Sequence, residues 1–327
     1  MIRLVGKRGK GSVESQLDEA AKGVDFIRVD CTSHNPDPVM REGLSPFYLG
    51  PVECFDGLVA EKFENAWQFS KVPKKWGSFD EKGANDPVYA PLRTTPFVGA
   101  DDEPNAAYFK WRDAGFADPA AHRFPLGGAG KLWHYSYWKV DGEYKHLGYI
   151  SARKYIYIPL YAKAVVKTEA YRRLVALRDS EKCLLLLDFD GYNRHLPRYN
   201  FTYNDVIHCP LLKMGHGFVL SMLLEGAIKV DESGNVTYAP GLFDPPQRTY
   251  GRELRQLSDD QKKTRGAATA GVTVEEWDAL SVADRKLLKA AAGRERCKTR
   301  GIARAEWKRL PLAEKLRVAR AEHGRLP

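Results

Sequence analysis

Glu64, Gln68 and Lys71 follow one another at i, i+4 and i+7 in a stretch, Ala60 to Lys71, that holds neither Gly nor Pro. On a helix that spacing stacks a carboxylate, an amide and an amine along one stripe. Such a stripe brings a titratable carboxyl group and an amine together beside an aromatic face. Trp67, Phe69 and Val72 flank Lys71 and give it an apolar setting, and burial in such a setting lowers the pKa of an amine. The same spacing also fits a solvated helix face, where an i,i+4 pair is worth only about 0.2–0.5 kcal/mol.

Local signals predict the elements that position the stripe. Leu44-Ser45-Pro46-Phe47-Tyr48 reads as an extended aromatic segment bent at the proline, and Asp56-Gly57 as a turn. The helix comes next, with Phe63, Ala66, Trp67 and Ser70 on its packing face, and Pro73 stops it. Further along, Cys183 to Phe189 is a short continuous apolar run that suits a fully buried strand. Asp188, Asp190 and Gly191 stand at its C-terminal end, where open sheets place their chemistry. That acidic pair has two readings, a metal or acid–base site and a simple D-x-D-G turn. Leu211 to Leu224 reads as a buried helix entered through Gly215-His216-Gly217, whose small residues allow close approach and leave N-terminal amides facing a cavity.

The string from Leu44 to Val72 resembles the opening signature of the NADAR (YbiA-like) family, an L-S-N-F-Y segment, a hairpin and a helix reading S-x-E-H-x-x-Q-x-x-K. Leu44, Ser45, Phe47, Tyr48, Glu64, Gln68 and Lys71 fall on it in order, while Pro46 and Asn65 stand where the family has Asn and His. Lys213, Met214, Gly215, Phe218 and Val219 resemble the late signature N-x-L-G-x-x-L-M, with Leu212 in place of its Asn. The resemblance covers about residues 44–224. It implies an α+β domain that cleaves an N-glycosidic bond on a nucleotide riboside or an ADP-ribosylated base, without a cofactor or metal. It implies Glu64 as general acid/base, Lys71 as the nucleophile that forms a Schiff base, Trp67 or Tyr48 as the stacking residue and Gln68 as an orienting group. Asp188 and Asp190 are further catalytic candidates, and Ser45, Phe47, Gly215 and His216 further substrate-binding ones.

The rest of the chain sets the context. With 327 residues, 43% of them hydrophobic, there is material for one large or two ordinary domains. Five scattered cysteines without a C-x-x-C pair read as reduced thiols, and no apolar run reaches the ~18 residues of a membrane span, so a cytoplasmic protein is expected. Strands are predicted at Ile2–Val5 and Asp25–Asp30, with a polar helix around Val13–Ala21 between them. The Gly6–Gly11 loop has the composition of a phosphate cradle but lacks the G-x-x-x-x-G-K-[ST] order. Residues 73–150 read as an insertion, Pro- and Gly-rich at first and ending in an aromatic hairpin from Trp133 to Ile150 about Asp141-Gly142. Alternation gives that hairpin an aromatic core face, with base stacking as the other reading. Arg153 to Leu177 reads as one or two helices broken near Pro159.

Charge divides the chain in two. Residues 248–327 carry 20 Lys/Arg against 11 Asp/Glu, and the 31 of each sign left in residues 1–247 cancel. The tail also repeats itself, since Gly271-Val272, Glu276-Trp277 and Leu280-Ser281 recur thirty residues later as Gly301-Ile302, Glu306-Trp307 and Leu310-Pro311. The expected architecture is therefore a NADAR-like α+β globular domain over 1–247, joined to a small basic all-helical repeat module over 248–327 with units at about 271–300 and 301–327, each cored by its tryptophan. Arg294, Arg296, Lys298, Arg300, Arg304, Lys308 and Arg309 are the candidate nucleic-acid contacts. The partner expected is DNA, with a base drawn out of the stack, and the tail leaves a protein partner open. Two other readings remain, a nucleic-acid-binding accessory protein without catalysis and an N-glycosidase acting on a free nucleotide metabolite.

Overall fold

The computed structural model describes residues 1–7, 12–73, 95–123, 133–246, 248, 250, 266–267, 270–292, 307 and 309–323. It mixes helix and sheet, and the chain divides into two compact units, 1–248 and 249–327.

The first unit begins with strand β1 (Ile2–Gly6). Two single 3₁₀ turns, Glu14–Gln16 and Glu19–Ala21, replace the helix expected over Val13–Ala21. The reason is Asp18, whose carboxylate accepts from Arg3 Nε at 2.6 Å and from Asn193 Nδ2 at 2.9 Å, which holds the backbone extended in mid-segment. Strand β2 (Phe26–Asp30) and helix α1 (Pro38–Leu44) come next, the helix capped by the Asp37 carboxylate on the Val39 amide. Residues 45–49 are a turn rather than the extended segment expected, because the Tyr48 and Leu49 amides both donate to the Ser45 carbonyl. Strands β3 (Val52–Phe55) and β4 (Leu58–Ala60) form a hairpin whose turn residues Asp56 and Gly57 have φ of 49° and 74°.

Helix α2 (Phe63–Phe69) is shorter than the sequence pattern suggests, and Lys71 opens strand β5 (Lys71–Pro73) instead of closing the helix. Within residues 73–150, helix α3 (Ala106–Ala117) is capped by Asn105, and strands β6 (Trp133–Val140) and β7 (Glu143–Leu147) turn at Asp141 and Gly142. Because β6 pairs with both β5 and β7, this segment is part of the body of the unit. Tyr135 and Trp138 are buried, Tyr135 stacks on His146 at 3.9 Å and Tyr137 on Tyr144 at 5.0 Å, which gives the hairpin the aromatic core face that alternation predicts, with Tyr144 left exposed.

The next segment is helical through Pro159: α4 (Tyr149–Ala152), a π-helical turn (Arg153–Tyr157) and α5 (Ile158–Val165) run on without a gap. Pro159 comes just after the π turn, a local change of winding inside the helical segment, and the segment continues through it. The break falls instead at Thr168, which caps α6 (Glu169–Asp179). Strand β8 (Cys183–Asp188) is then the centre of a parallel sheet in the order β1-β8-β2, and Leu184, Leu185 and Leu186 are buried as the apolar run predicts. Three parallel strands end on one edge, which brings Gly6, Asp30 and Asp188 together there. Helices α7 (Tyr203–His208) and α8 (His216–Leu224) and the hairpin of β9 (Ile228–Val230) and β10 (Val236–Tyr238) complete the unit. No helix among the described residues is long and apolar enough to cross a membrane.

In the second unit, α9 (Val274–Asp278), α10 (Val282–Ala291) and α11 (Leu312–His323) track the repeat, with Thr273 and Ser281 capping the first two. Both tryptophans are buried, and they share one core with Ala267, Ala270, Leu288, Ala291, Ala292 and Ala319. Trp307 Nε1 donates to the Ala270 carbonyl at 3.1 Å and the Lys315 amine to the Gly271 carbonyl at 2.6 Å, so the second repeat is bonded to the start of the first. The two units of sequence are one unit of structure, since thirty residues bury too little apolar surface alone. Trp277→Ala is accordingly expected to destabilise all of residues 266–323 together, by about 3–5 kcal/mol. Helix melting monitored by circular dichroism should show a single transition; two separate ones would restore the reading of independent repeats.

Candidate active site

Helix α2 carries three polar side chains that are all buried, Glu64 at 7% exposure, Asn65 at 0% and Gln68 at 5%. A helix face so placed is not solvated, and each polar group on it must find a partner inside the protein. Gln68 finds two. Its Nε2 donates to Glu64 Oε1 at 2.6 Å, and its Oε1 accepts from Lys71 Nζ at 2.5 Å. Although Lys71 lies on β5, its side chain turns back and its amine sits 4.9 Å from the centre of the Trp67 ring. Amine, amide and carboxyl thus form one relay, and the expected stripe is present by way of a helix and the strand after it.

The three line a cavity of about 270 Å³ together with Ser45, Pro46, Phe47 and Trp67 from the same stretch. The far wall is the C-terminal edge of the parallel sheet with the segments just beyond it: Thr32 and Ser33 after β2, Asp188, Phe189 and Asp190 at the end of β8, and Lys213, Met214, Gly215 and His216 at the start of α8. Of the catalytic and substrate-binding candidates singled out in the sequence, Tyr48 alone is turned away. It is 41% exposed, stands outside the cavity wall and lies under the Arg41 guanidinium, so of the two stacking candidates Trp67 is the one that lines the cavity.

Burial dominates the ionisation of the pair. Lys71 is 7% exposed, and loss of solvent pulls its pKa from 10.5 down to about 7; the Arg123 guanidinium adds to the effect and Glu64 opposes it. Burial pushes the Glu64 carboxyl up, against the Gln68 hydrogen bond and the positive charges of Lys71, Arg123 and His216. The carboxyl group is therefore biased toward its protonated form and the amine toward its neutral form, the states that an acid and a nucleophile need.

Asp188 has a different environment. Its carboxylate accepts from the Gly217 amide at 3.0 Å, at the positive end of α8, and lies 3.5 Å from His216 Nδ1. His216 Nε2 donates to the Cys31 carbonyl at 2.8 Å, which fixes the ring between β2 and β8. Gly215 and Gly217 are required here, because a Cβ on either would stand 2.1 Å or 3.1 Å from Asp188 Oδ2. Asp190 is paired with Lys213 at 2.9 Å on the rim. Asp188 thus ends its strand in the turn that one of the two sequence readings gave, and it also holds a histidine in the cavity wall. Among the described residues no group of three His, Cys, Asp or Glu gathers as a metal site. Lys7, at the start of the Gly-Lys loop, pairs with Asp30 and donates to Thr32 Oγ1 at 3.0 Å; residues 8–11 lie outside the described residues.

Several wall residues were not expected from the sequence: Thr32, Ser33, Arg123, Tyr149, Arg153 and Tyr157. Tyr149, Arg153 and Tyr157 recur every four residues, a signal present in the sequence, and the π turn keeps them on one face of the helical segment. Tyr157 packs edge-on against Trp67 at 5.0 Å, while Arg153 donates to the Ile207, Cys209 and Leu212 carbonyls and so fixes the segment leading to Lys213. Of the tail residues proposed to touch nucleic acid, Arg309 is exposed, and Arg294, Arg296, Lys298, Arg300, Arg304 and Lys308 lie outside the described residues. Compared with models of known protein families, with curated proteins and with solved structures, the chain matches none of them.

Proposed function

We propose that this cavity cleaves an N-glycosidic bond, with Lys71 as nucleophile and Glu64 as general acid and then base. The observation that carries the reading is the opposed ionisation of two buried groups joined through one amide, a lysine brought to about 7 beside a carboxyl pushed up. In the first step the neutral amine attacks the anomeric carbon and the bond to the base breaks; the base keeps the electron pair and takes the Glu64 proton. Glu64, now a carboxylate, takes a proton from the new ammonium and passes it to the ring oxygen as the C–O bond opens and the nitrogen lone pair forms the protonated Schiff base. Water, deprotonated by Glu64, then adds to the imine carbon, and collapse of the carbinolamine releases an aldehyde and restores the amine. Trp67 stacks on the base or sugar, and Gln68 holds amine and carboxyl in register.

The cavity accepts one nucleotide rather than a duplex, so a target within DNA enters as an extruded or single-stranded nucleotide. The substrate we assign is a modified or ADP-ribosylated base in DNA, brought to the cavity by the basic 248–327 module. Incubation with DNA carrying such a base should release the base and leave an abasic aldehyde. Residues 1–248 alone should still cleave a small nucleoside while binding DNA more weakly and with a shallower salt dependence. Undiminished DNA binding by residues 1–248 would contradict the assignment to the tail.

A further inference from the structure

Tyr157 ends the π-helical turn, is 7% exposed and lines the cavity. Its ring is held edge-on against two aromatic rings of α2, Trp67 at 5.0 Å and Phe63 at 5.1 Å, which leaves the phenol little freedom to turn away. The hydroxyl group sets it apart from its neighbours. Tyr108, Tyr135 and Tyr161 are buried as well, and each donates to a backbone carbonyl, Tyr108 to Phe69 at 3.1 Å, Tyr135 to Asp102 at 2.6 Å and Tyr161 to Leu44 at 2.6 Å. Among the described residues nothing accepts from the Tyr157 hydroxyl, and its oxygen is not sealed in the interior, so it opens on the cavity. Leaving a buried hydroxyl unpaired costs about 1–3 kcal/mol, which a bound molecule that accepts its proton would recover.

The surroundings decide what this group can do. Burial pushes the Tyr157 pKa well above the ordinary phenol value, and the charges of Glu64 and Asp188 add to the shift. The phenol therefore stays protonated and serves as a neutral donor. It is near enough to Glu64 to feel its charge, and it packs on the same indole that the Lys71 amine approaches at 4.9 Å. A sugar with its anomeric carbon at Lys71 brings two oxygens into this neighbourhood. The hydroxyl at C2 can donate or accept, and 2-deoxy sugars lack it, whereas the ring oxygen is present in both and can only accept. Negative charge also grows on the ring oxygen when the C–O bond opens, and a preorganised donor is worth most where charge develops.

We propose that Tyr157 is a catalytic residue, donating a hydrogen bond to the ring oxygen of the sugar and stabilising that oxygen while the ring opens. The ring C–O bond breaks with its electron pair going to the oxygen, and the Lys71 nitrogen lone pair makes the C=N bond. The proton that ends on the oxygen comes from Glu64, and Tyr157 keeps its own. The proposal rests on Lys71 being the amine that reacts with the sugar, and it adds the group that assists the opening step.

Reductive labelling of the full chain isolates that step. Ribose, 2-deoxyribose and glyceraldehyde are each supplied with cyanoborohydride, raised until it no longer limits the rate, and the adduct on the Lys71 peptide is quantified by mass spectrometry. Glyceraldehyde has too few carbons to close a furanose ring, so its imine forms without ring opening. In Tyr157→Phe, which keeps the ring packed on Trp67 and Phe63, labelling by ribose and by 2-deoxyribose should both fall at least about tenfold, one preorganised donor being worth about 10²- to 10³-fold. Labelling by glyceraldehyde should be unchanged. Tyr161→Phe removes a hydroxyl spent on the Leu44 carbonyl and should leave the ratio of ribose to glyceraldehyde labelling as in wild type. A loss with ribose that spares 2-deoxyribose would place the contact on the C2 hydroxyl and overturn the ring-oxygen assignment. A loss shared by glyceraldehyde would make Tyr157 a support for Lys71 and overturn it too, as would no loss with either sugar. In each of these cases Lys71 remains the reactive amine. Failure of all three compounds to modify Lys71 in the wild-type chain would remove the catalytic reading and this proposal together.

Discussion

Lys71→Met is expected to give a protein that is more stable than wild type at pH 6 and catalytically dead. Removal of a nucleophile costs on the order of 10⁴-fold or more in rate where the covalent step is obligatory. The stability gain has a separate origin. The Lys71 pKa is about 7 in the folded protein against 10.5 for an exposed amine, so between those values the unfolded chain holds a proton that the native state has lost. Wild-type stability must therefore rise with pH across the window from about 7 to 10.5, and below 7 the native state bears the full cost of a buried ammonium. Methionine fills similar volume with no charge, although Gln68 Oε1 loses its donor. The balance should favour the variant by about 1–4 kcal/mol at pH 6. Denaturant titrations of both proteins at pH 6, 7.5 and 9 check this, the gap closing as pH rises. A variant less stable than wild type at pH 6 would mean that the Lys71 cation is well accommodated, and with it the case for a neutral nucleophile would fall.

Glu64→Gln is expected to lower the rate by about 10²- to 10⁴-fold, the usual contribution of a positioned acid or base. Shape is kept, since a glutamine oxygen can still accept from Gln68 Nε2, so the thermal transition should move little. The pH profile should move with a definite sign. Activity needs Lys71 without its proton and Glu64 with its own, so it falls on both sides of an optimum, and the two limbs belong to the coupled pair. With Gln at position 64 the alkaline limb should vanish. The acid limb should shift to lower pH, because the negative charge that favoured the Lys71 ammonium is gone. An alkaline limb that survives the substitution would assign the acid to another group, with Asp188 and His216 the nearest in the cavity.

Much of this site could be read from residue types and spacing, and what could not has physical causes. The Glu64-Gln68-Lys71 stripe was legible because four-residue spacing survives even where the helix ends early and the lysine moves onto a strand. Strand β8 was legible because a run of leucines bounded by polar residues has few other uses. The fate of Tyr48 was hidden, since an extended segment and a turn place alternate side chains differently, and the Ser45 carbonyl, which sequence cannot report, decides between them. Pro159 was misleading because a π turn stands just before it and the helical segment runs on through the proline. The contacts of Asn65 were out of reach for another reason: they join residues more than fifty positions apart through backbone atoms that carry no residue identity. In the tail the repeat was plain, while the shared core that merges its two tryptophans depends on packing between copies.

The central claim is that Lys71 becomes covalently bound to the sugar during turnover. Borohydride added while the protein releases base from DNA carrying an ADP-ribosylated guanine, with peptide mass spectrometry of the product, tests it most directly. The expected result is one stoichiometric adduct, on Lys71 of the wild-type chain and absent from Lys71→Met. Base release that proceeds at full rate with no adduct on Lys71, or with the adduct on another lysine, would contradict it.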